Sequence, residues 1–408
     1  MKPNLLMLLP AILTLMATAP TNAQQTPQKL TLASALDLAE KRNLDLAAAR
    51  AERAVALAGV RIAGERPNPT ASVAVLRDSP HESLFFDQPV ELGSKRRRRI
   101  EFAQQEGILT ETSISTLERQ VRRSVRDAYF GLAHARGVAV ERAGALKLAE
   151  RLQEIARSRF NAGDIPQLEV TQAELEVARA DADVQVAEQE EKVAQSDLNV
   201  LLNEPAAKDW DLGDALTSIP PQPALDEILS RAGMSNDEIA RINQEQKVEQ
   251  ARKALLEADR IPNLGVEFGA DFNAPHDYRA GPRGQLAMEL PLFSRNQGKI
   301  AQSEAIQRAL DQELSAVQRG TNAQVSSAFL DLEARRTQAR LYRDTILPAS
   351  RHLEEMAEDS YRAGKANILT VLGAQRDVQQ TERDYLDSLL AAQTAFTQLE
   401  EAVGAPLD

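Results

Sequence analysis

The sequence predicts a membrane α+β protein in which β-strands of a transmembrane wall run on into long α-helical coiled coils, with two internal repeats. Three observations predict it. Short segments alternate apolar and polar residues with period two, which gives a sheet two unlike faces. Long segments expected to return along these helices carry apolar heptads. Motifs recur between the two halves of the 408-residue chain.

The repeat is read first, because it organises the rest. "SRFNAGDIPQLEVTQAELEVA" (158–178) matches "DSYRAGKANILTVLGAQRDVQ" (359–379). In that match Phe160 pairs with Tyr361, Gly163 with Gly364, Leu168 with Leu369, Val170 with Val371 and Val177 with Val378. Pro67-Asn68 pairs with Pro262-Asn263, and Pro89 with Pro291. The expected organisation is a leader at 1–23, a first repeat over 24–221 and a second over 222–408.

The leader reads as a secretory signal peptide. Lys2 supplies a positive start, Leu5 to Met16 a short apolar core, and Thr21-Asn22-Ala23 a small-residue cleavage site. The apolar run is too short to span a membrane. No later stretch of about 18 apolar residues exists, which excludes a transmembrane helix but not a β-barrel. The chain has no cysteine, so packing or oligomerisation must hold an exported protein together.

Each repeat begins with a helix, expected near 31–65 and 223–260 and ending just before a proline. Thr31 is the expected N-cap of the first. Two strands follow in each repeat. In "NLGVEFGADFN", Leu264, Val266, Phe268, Ala270 and Phe272 alternate with Gly265, Glu267, Gly269 and Asp271. In "RGQLAMELPL", Leu286, Met288, Leu290 and Leu292 form the apolar set. "TASVAVLRD" and "SLFFDQPV" are the first-half partners, and "RDSPHES" and "NAPHDYRAGPRG" read as the connecting turns. Alternation of this kind fits lipid on one face and water on the other. Four strands cannot close a barrel, since about eight are needed, so several chains must build it together.

Helices of about 65 residues, or about 100 Å, are expected near 94–160 and 297–361, with returning helices near 166–203 and 367–403. The returning helices keep heptads: Val170, Val177, Val184; Val186, Val193, Val200; and Val371, Val378, Tyr385, Ala392, Leu399. Ala173, Ala180, Ala187 and Ala194 add a small-residue stripe that permits close approach. Gly163 and Gly364 suit left-handed positions at the helix ends. The segment 203–224, with the single tryptophan, Trp210, reads as an ordered belt between the repeats.

The formal net charge is −12, yet Lys95 to Arg99 are five consecutive cations. Taken alone they resemble a nucleic-acid patch. A single basic cluster in an acidic, exported chain argues against nucleic acid as a partner. It lies where the second strand ends and the first long helix begins. Cations at a helix N-terminus oppose the helix dipole, so anionic partners are expected: lipid phosphates or carboxylates of a neighbouring helix. No nucleophile elbow, phosphate loop or clustered His–Glu motif is present. The four histidines, His81, His134, His276 and His352, are dispersed. No catalytic residue, metal site or cofactor is expected, and the chain does not read as an enzyme.

The motifs "DQPVELGSKRRRRIEFAQ" and "LPLFSRNQGKIAQSEA", with the turns "RFNAGDI" and "YRAGKAN", resemble the TolC-like outer-membrane efflux protein family. They are closest to its CzcC-like branch of cation and heavy-metal efflux. The resemblance covers essentially all of the chain after the leader. It implies a homotrimer whose chains give four strands each to one 12-stranded barrel, continuous with a hollow periplasmic helical duct. It implies residence in the outer membrane of a Gram-negative cell, in contact with its lipid. It further implies docking to a periplasmic adaptor that joins an inner-membrane pump. Carried over, the docking tip is Ala162, Gly163, Asp164, Ala363, Gly364 and Lys365. The gate keeps a carboxylate at Glu169 and an aromatic at Tyr361. The barrel–duct junction is Lys95, Arg96 and Arg99, with Ser94 where relatives often have glycine. Ala366, Thr370 and Gly373 depart from the charged gate pattern of some relatives, which argues against a salt-bridged lock. The function implied is a passive export duct. Drug efflux and type I protein secretion are same-fold alternatives, and a soluble periplasmic coiled-coil adaptor is the alternative of a different class.

Overall fold

The computed structural model describes residues 28–213, 216–274 and 277–407. The expected signal peptide and His276 lie outside the described residues. In chain order the first half holds β1 (Gln28–Leu30), α1 (Leu32–Arg42), α2 (Leu44–Ala63), β2 (Thr70–Val75), β3 (Glu82–Val90), α3 (Lys95–Ala162) and α4 (Gln167–Leu201). The rest holds β4 (Trp210–Leu212), α5 (Leu225–Ser235), α6 (Asp237–Ala258), β5 (Leu264–Ala274), β6 (Tyr278–Met288), α7 (Gln297–Leu341), α8 (Leu347–Arg362) and α9 (Ile368–Val403).

The first expected helix of each half is in fact two. Thr31 caps α1 as expected, in a reciprocal capping box with Ser34. The break at Asn43 has a local cause. Its extended backbone leaves the helix, and its side chain accepts from Leu46 N at 3.0 Å to start α2. Asn236 does the same between α5 and α6, accepting from Glu238 N and Ile239 N. Each asparagine also donates to the end of a returning helix, Asn43 to Leu201 O and Asn236 to Ala402 O, both at 3.1 Å. Both are buried, so the breaks are anchored.

The helix expected over 297–361 is also interrupted. A π turn, Tyr342–Ile346, separates α7 from α8. Pro348, in the first turn of α8, lacks an N–H and crowds the carbonyl four residues back, which a regular α-helix cannot accommodate. The α3 helix has no such break and runs for 68 residues. It ends on Gly163 at φ 85°, and Gly364 takes φ 71° two residues past the end of α8.

β2, β3, β5 and β6 form one antiparallel sheet in the order β2-β3-β5-β6. Strands of the two halves meet at the β3–β5 pair, where Phe86 opposes Phe268 with rings stacked at 5.6 Å. The strand at β6 is displaced from its expected place. It begins at Tyr278, inside the segment read as a turn, and stops at Met288, so Leu290 and Leu292 lie beyond it. Pro282 is tolerated because β6 is an edge strand.

The described residues of the belt, 203–213 and 216–224, pack against the helices. β4 pairs in parallel with β1, a strand too short to carry a periodic signal. Trp210 is buried and donates to Asn199 Oδ1 at 2.6 Å, while its carbonyl accepts from Arg136. Tyr129, fully buried, donates to Leu30 O and ties β1 to α3.

At the sheet end the helices lie side by side in the order α2-α3-α6-α7; towards the far tip the order is α4-α3-α9-α8, with α7 also packing on α9. The chain is therefore a long wall with two lateral edges. One is formed by β2, α2 and α4, the other by β6, α7 and α8. Three apolar clusters hold it: two around the belt and the α5–α9 end, and one at the tip.

Candidate functional site

The sheet presents two chemically different faces. Cross-strand partners share a face, so the register sorts the side chains. One face gathers Val73, Leu84, Phe86, Val90, Val266, Phe268, Leu286 and Met288. Most of these are exposed, Val73 at 73% and Leu286 at 71%. Gln88 and the strand-end Glu82 interrupt this face. An apolar surface of this extent on a sheet facing water on both sides would be an aggregation hazard. The other face is polar: Thr70, Ser72, Ser83, Asp87, Glu267, Asp271, Arg283 and Gln285. Ser83 donates to Asp271 at 2.7 Å, and Arg283 lies 3.8 Å from the same carboxylate and over the Phe85 ring. Asp87 directly opposes Glu267, and neither makes an ion pair among the described residues.

The basic cluster sits at the start of α3. Gly93 and Ser94 both take left-handed backbone, at φ 72° and 63°, which turns the chain from strand to helix. A Cβ on Gly93 would meet Ile261 Cδ1 at 2.4 Å, so glycine is required there by space as well as by conformation. Asn296 is the counterpart before α7, at φ 58°. The partners of the cluster differ from those expected. Arg99 donates to Ala63 O at 2.8 Å and Glu65 O at 2.9 Å, and Arg96 to Gly64 O at 2.5 Å. These carbonyls end α2, where the helix dipole is negative, so they offset the charge that opposes the dipole of α3. Arg99 also binds Glu91 at 2.6 Å, which holds its guanidinium pKa above the usual value. Lys95 is buried and donates to Asn263 Oδ1 at 2.6 Å, joining the two halves. Arg97 is exposed and Arg98 half-buried, and among the described residues both form ion pairs only with Glu101.

At the opposite end the two turns lie together. Ala162, Gly163, Asp164, Ala363, Gly364 and Lys365 are all exposed. Tyr361 is not: it is fully buried among Leu152, Ala156, Ile165, Val170 and Ile368. Its hydroxyl has no hydrogen-bond partner, and neither has the buried Oε2 of Glu169. Arg159, which the expected residues omit although it stands inside the quoted turn motif, packs over the Tyr361 ring at 4.8 Å and donates to its carbonyl at 3.2 Å. Burial raises the Tyr361 pKa, Glu169 adds to the rise, and Arg159 opposes it.

Midway along the helices lies a second group that sequence reasoning misses. The Glu141 side chain is 6% exposed, with Oε1 lacking a hydrogen-bond partner. Burial pushes its pKa up to about 7, Arg142 opposes the rise, and Glu382 and Asp183 reinforce it. Its only sequence signal is a carboxylate on the packed side of α3, one residue before an arginine. Among the described residues no group of three or more His, Asp or Glu could hold a metal ion.

A sheet with one apolar and one polar face, continuous with a wall of paired helices, defines a chain that builds part of a membrane-crossing duct. The chain belongs to the outer membrane efflux protein family, whose sequence profile matches residues 35–204 and 228–405. It is 27% identical over 388 residues to the cobalt-zinc-cadmium resistance protein CzcC of Cupriavidus metallidurans, covering 94% of this chain and 92% of that one. It is 31% identical over 165 residues to the pyoverdine export outer membrane protein OpmQ of Pseudomonas putida, covering 38% and 33%. Its fold is similar to the outer membrane protein VceC of Vibrio cholerae, at TM-score 0.72 and 15% identity, covering 92% and 97%. CusC gives TM-score 0.74 at 17% identity, covering 92% of both chains.

Proposed function

We propose that three copies close edge to edge into a 12-stranded barrel and a helical periplasmic duct, and that this homotrimer is the passive outer-membrane exit of a tripartite efflux system. The observation that carries the reading is the two-faced sheet with unpaired outer edges at β2 and β6. An apolar face needs lipid, a polar face needs water, and two open edges need partners. A head-to-tail contact between unlike edges makes a ring when the rotation closes. A soluble periplasmic adaptor has no use for the apolar sheet face.

In this reading residues 1–23 direct export, and the repeats 24–221 and 222–408 each supply two strands and a helix pair. The tip turns at Ala162–Asp164 and Ala363–Lys365 dock the adaptor, which links the duct to an inner-membrane pump. Tyr361 and Glu169 shape the closure at the tip from inside the helix packing, and Lys95, Arg96 and Arg99 fix the junction of barrel and duct. No covalent step is required, so the chain acts without catalysis or a resident cofactor. Likeness to CzcC over 94% of the chain supports heavy-metal cations as the cargo. The test is a deletion strain grown against metal salts and drugs in parallel. Loss of metal resistance that the intact gene restores supports this reading. Sensitivity to drugs alone contradicts it in favour of the drug-efflux alternative, and failed export of a substrate protein alone would favour type I secretion.

A further inference from the structure

The α4 helix carries two apolar stripes with different fates. Val170 and the Ala173 and Ala187 positions are buried within the chain. Val186, Val193 and Val200 repeat every seven residues and are exposed at 58%, 60% and 69%. A heptad stripe of this length is a coiled-coil seam without its partner helix. On the opposite lateral edge, α7 exposes Leu330 and Leu341, which with Ala334 share one face.

Side-chain contacts across the wall fix which residues lie level. Arg142 binds Asp183 at 3.2 Å, Arg351 binds Glu382 at 2.6 Å, and Glu141 lies between, sensing both Asp183 and Glu382. Asp183 on one edge is therefore level with Arg351 on the other. The two edges run antiparallel, because α4 rises from the tip while α7 and α8 descend to it. Counting rises from that level, across the π turn at Tyr342–Ile346, sets Val193 within about one residue of Leu341 and Val200 within about one residue of Ala334. The charges match as well. Arg340, beside Leu341, is exposed; among the described residues no carboxylate lies within 4.0 Å of it, and Asp344, four residues on, feels its charge. Glu190 and Asp197, flanking Val193 on the exposed stripe, make no ion pair among the described residues.

We propose that α4 of one copy packs its Val186–Val193–Val200 stripe against the α7 edge of a second copy, with Val193 on Leu341 and Arg340 between Glu190 and Asp197. This seam rests on the trimeric reading above and adds its faces and register. It continues the open β2 and β6 edges down the duct, and its charged flank selects one alignment of two otherwise uniform helices.

The cysteine-free chain allows a direct test by disulfide trapping. The full chain carrying Val193→Cys and Leu341→Cys is oxidised in detergent, and the covalent species are read on a denaturing gel. The two positions lie on opposite edges of one chain, so bridges form only between copies. The expected result is a covalent trimer, absent from either single variant and from Val193→Cys with Leu353→Cys, about 18 Å out of register. Native mass of the unoxidised protein is measured in parallel. A trimer by mass without the Val193–Leu341 bridge overturns the seam while leaving the trimer standing. A monomer by mass overturns both. Arg340→Glu is expected to weaken the trimer, and Glu190→Arg with Asp197→Arg to restore it; no rescue contradicts the charge match.

Discussion

Arg99 holds Glu91 through a 2.6 Å ion pair while two of its remaining N–H groups reach the carbonyls that end α2. One side chain thus ties the last turn of α2, the end of the strand segment and the start of α3. Charged hydrogen bonds of this sort are worth about 1.5–3 kcal/mol each. Arg99→Glu is expected to lower the yield of assembled protein in the outer membrane sharply. Arg97→Glu, whose side chain contacts only Glu101, should leave it near normal. Equal loss in both variants would mean that total charge, not this geometry, matters.

Gly93 is a test of the same junction from the backbone side. Its φ of 72° and the 2.4 Å approach of Ile261 to an added Cβ leave no room for a side chain. Gly93→Ala is expected to cost about 1–3 kcal/mol, read as a lower unfolding temperature. Pairing it with Ile261→Val should recover part of the loss, and no recovery would remove the steric cause.

The unbonded hydroxyl of Tyr361 separates packing from polarity at the tip. Tyr361→Phe is expected to change stability and resistance little. Tyr361→Ala opens a cavity beneath Arg159 and should cost about 3–5 kcal/mol, with faster proteolysis of the tip. A strong defect in Tyr361→Phe would show that the hydroxyl has a partner in the assembled duct.

The sign of the pH effect at Glu141 follows from its raised pKa of about 7. The folded chain holds this proton where the unfolded chain, near 4.5, has released it. Stability contributed by this group is therefore lost as pH rises from about 4.5 to 7. Glu141→Gln should flatten the decline in unfolding temperature over that window. An unchanged slope would show that Glu141 stays ionised beside Arg142.

On the polar sheet face Asp271 lies 3.8 Å from Arg283, but Asp87 and Glu267 oppose one another with no ion pair among the described residues. Three copies would bring six such carboxylates around the lumen. Reversal potentials in a salt gradient are expected to favour cations, and Asp87→Asn with Glu267→Gln to reduce the preference. An anion preference in the parent channel would contradict this electrostatic account.

Much of this arrangement is legible in the sequence because period-two and heptad patterns depend only on which face is buried. The alternation from Leu264 to Phe272 reads directly as the apolar face of β5. The left-handed turns at Gly163 and Gly364 are equally direct, since few other residues suit them. The breaks at Asn43 and Asn236 are hidden, because an exposed asparagine inside a helix and a buried cap look alike until the Leu201 and Ala402 carbonyls are in place. β1 has three residues and no period to read. The extent of β6 is obscured by Tyr278–Gly284, whose turn-forming residues become strand only because β5 templates them. Apart from Glu91, the partners of Lys95, Arg96 and Arg99 are backbone carbonyls and an amide, which carry no charge signal in a sequence. The Tyr361 ring is legible in the sequence only as an aromatic beside the tip turn, while its burial depends on packing between the two helix pairs.

The central claim is that this wall closes on two further copies of itself. Native mass of the detergent-extracted complex tests it most directly. A homotrimer, losing its trimeric state when Val193 and Leu341 are both replaced by glutamate, is the predicted result. A stable monomer or dimer, in detergent that preserves the fold, would contradict it.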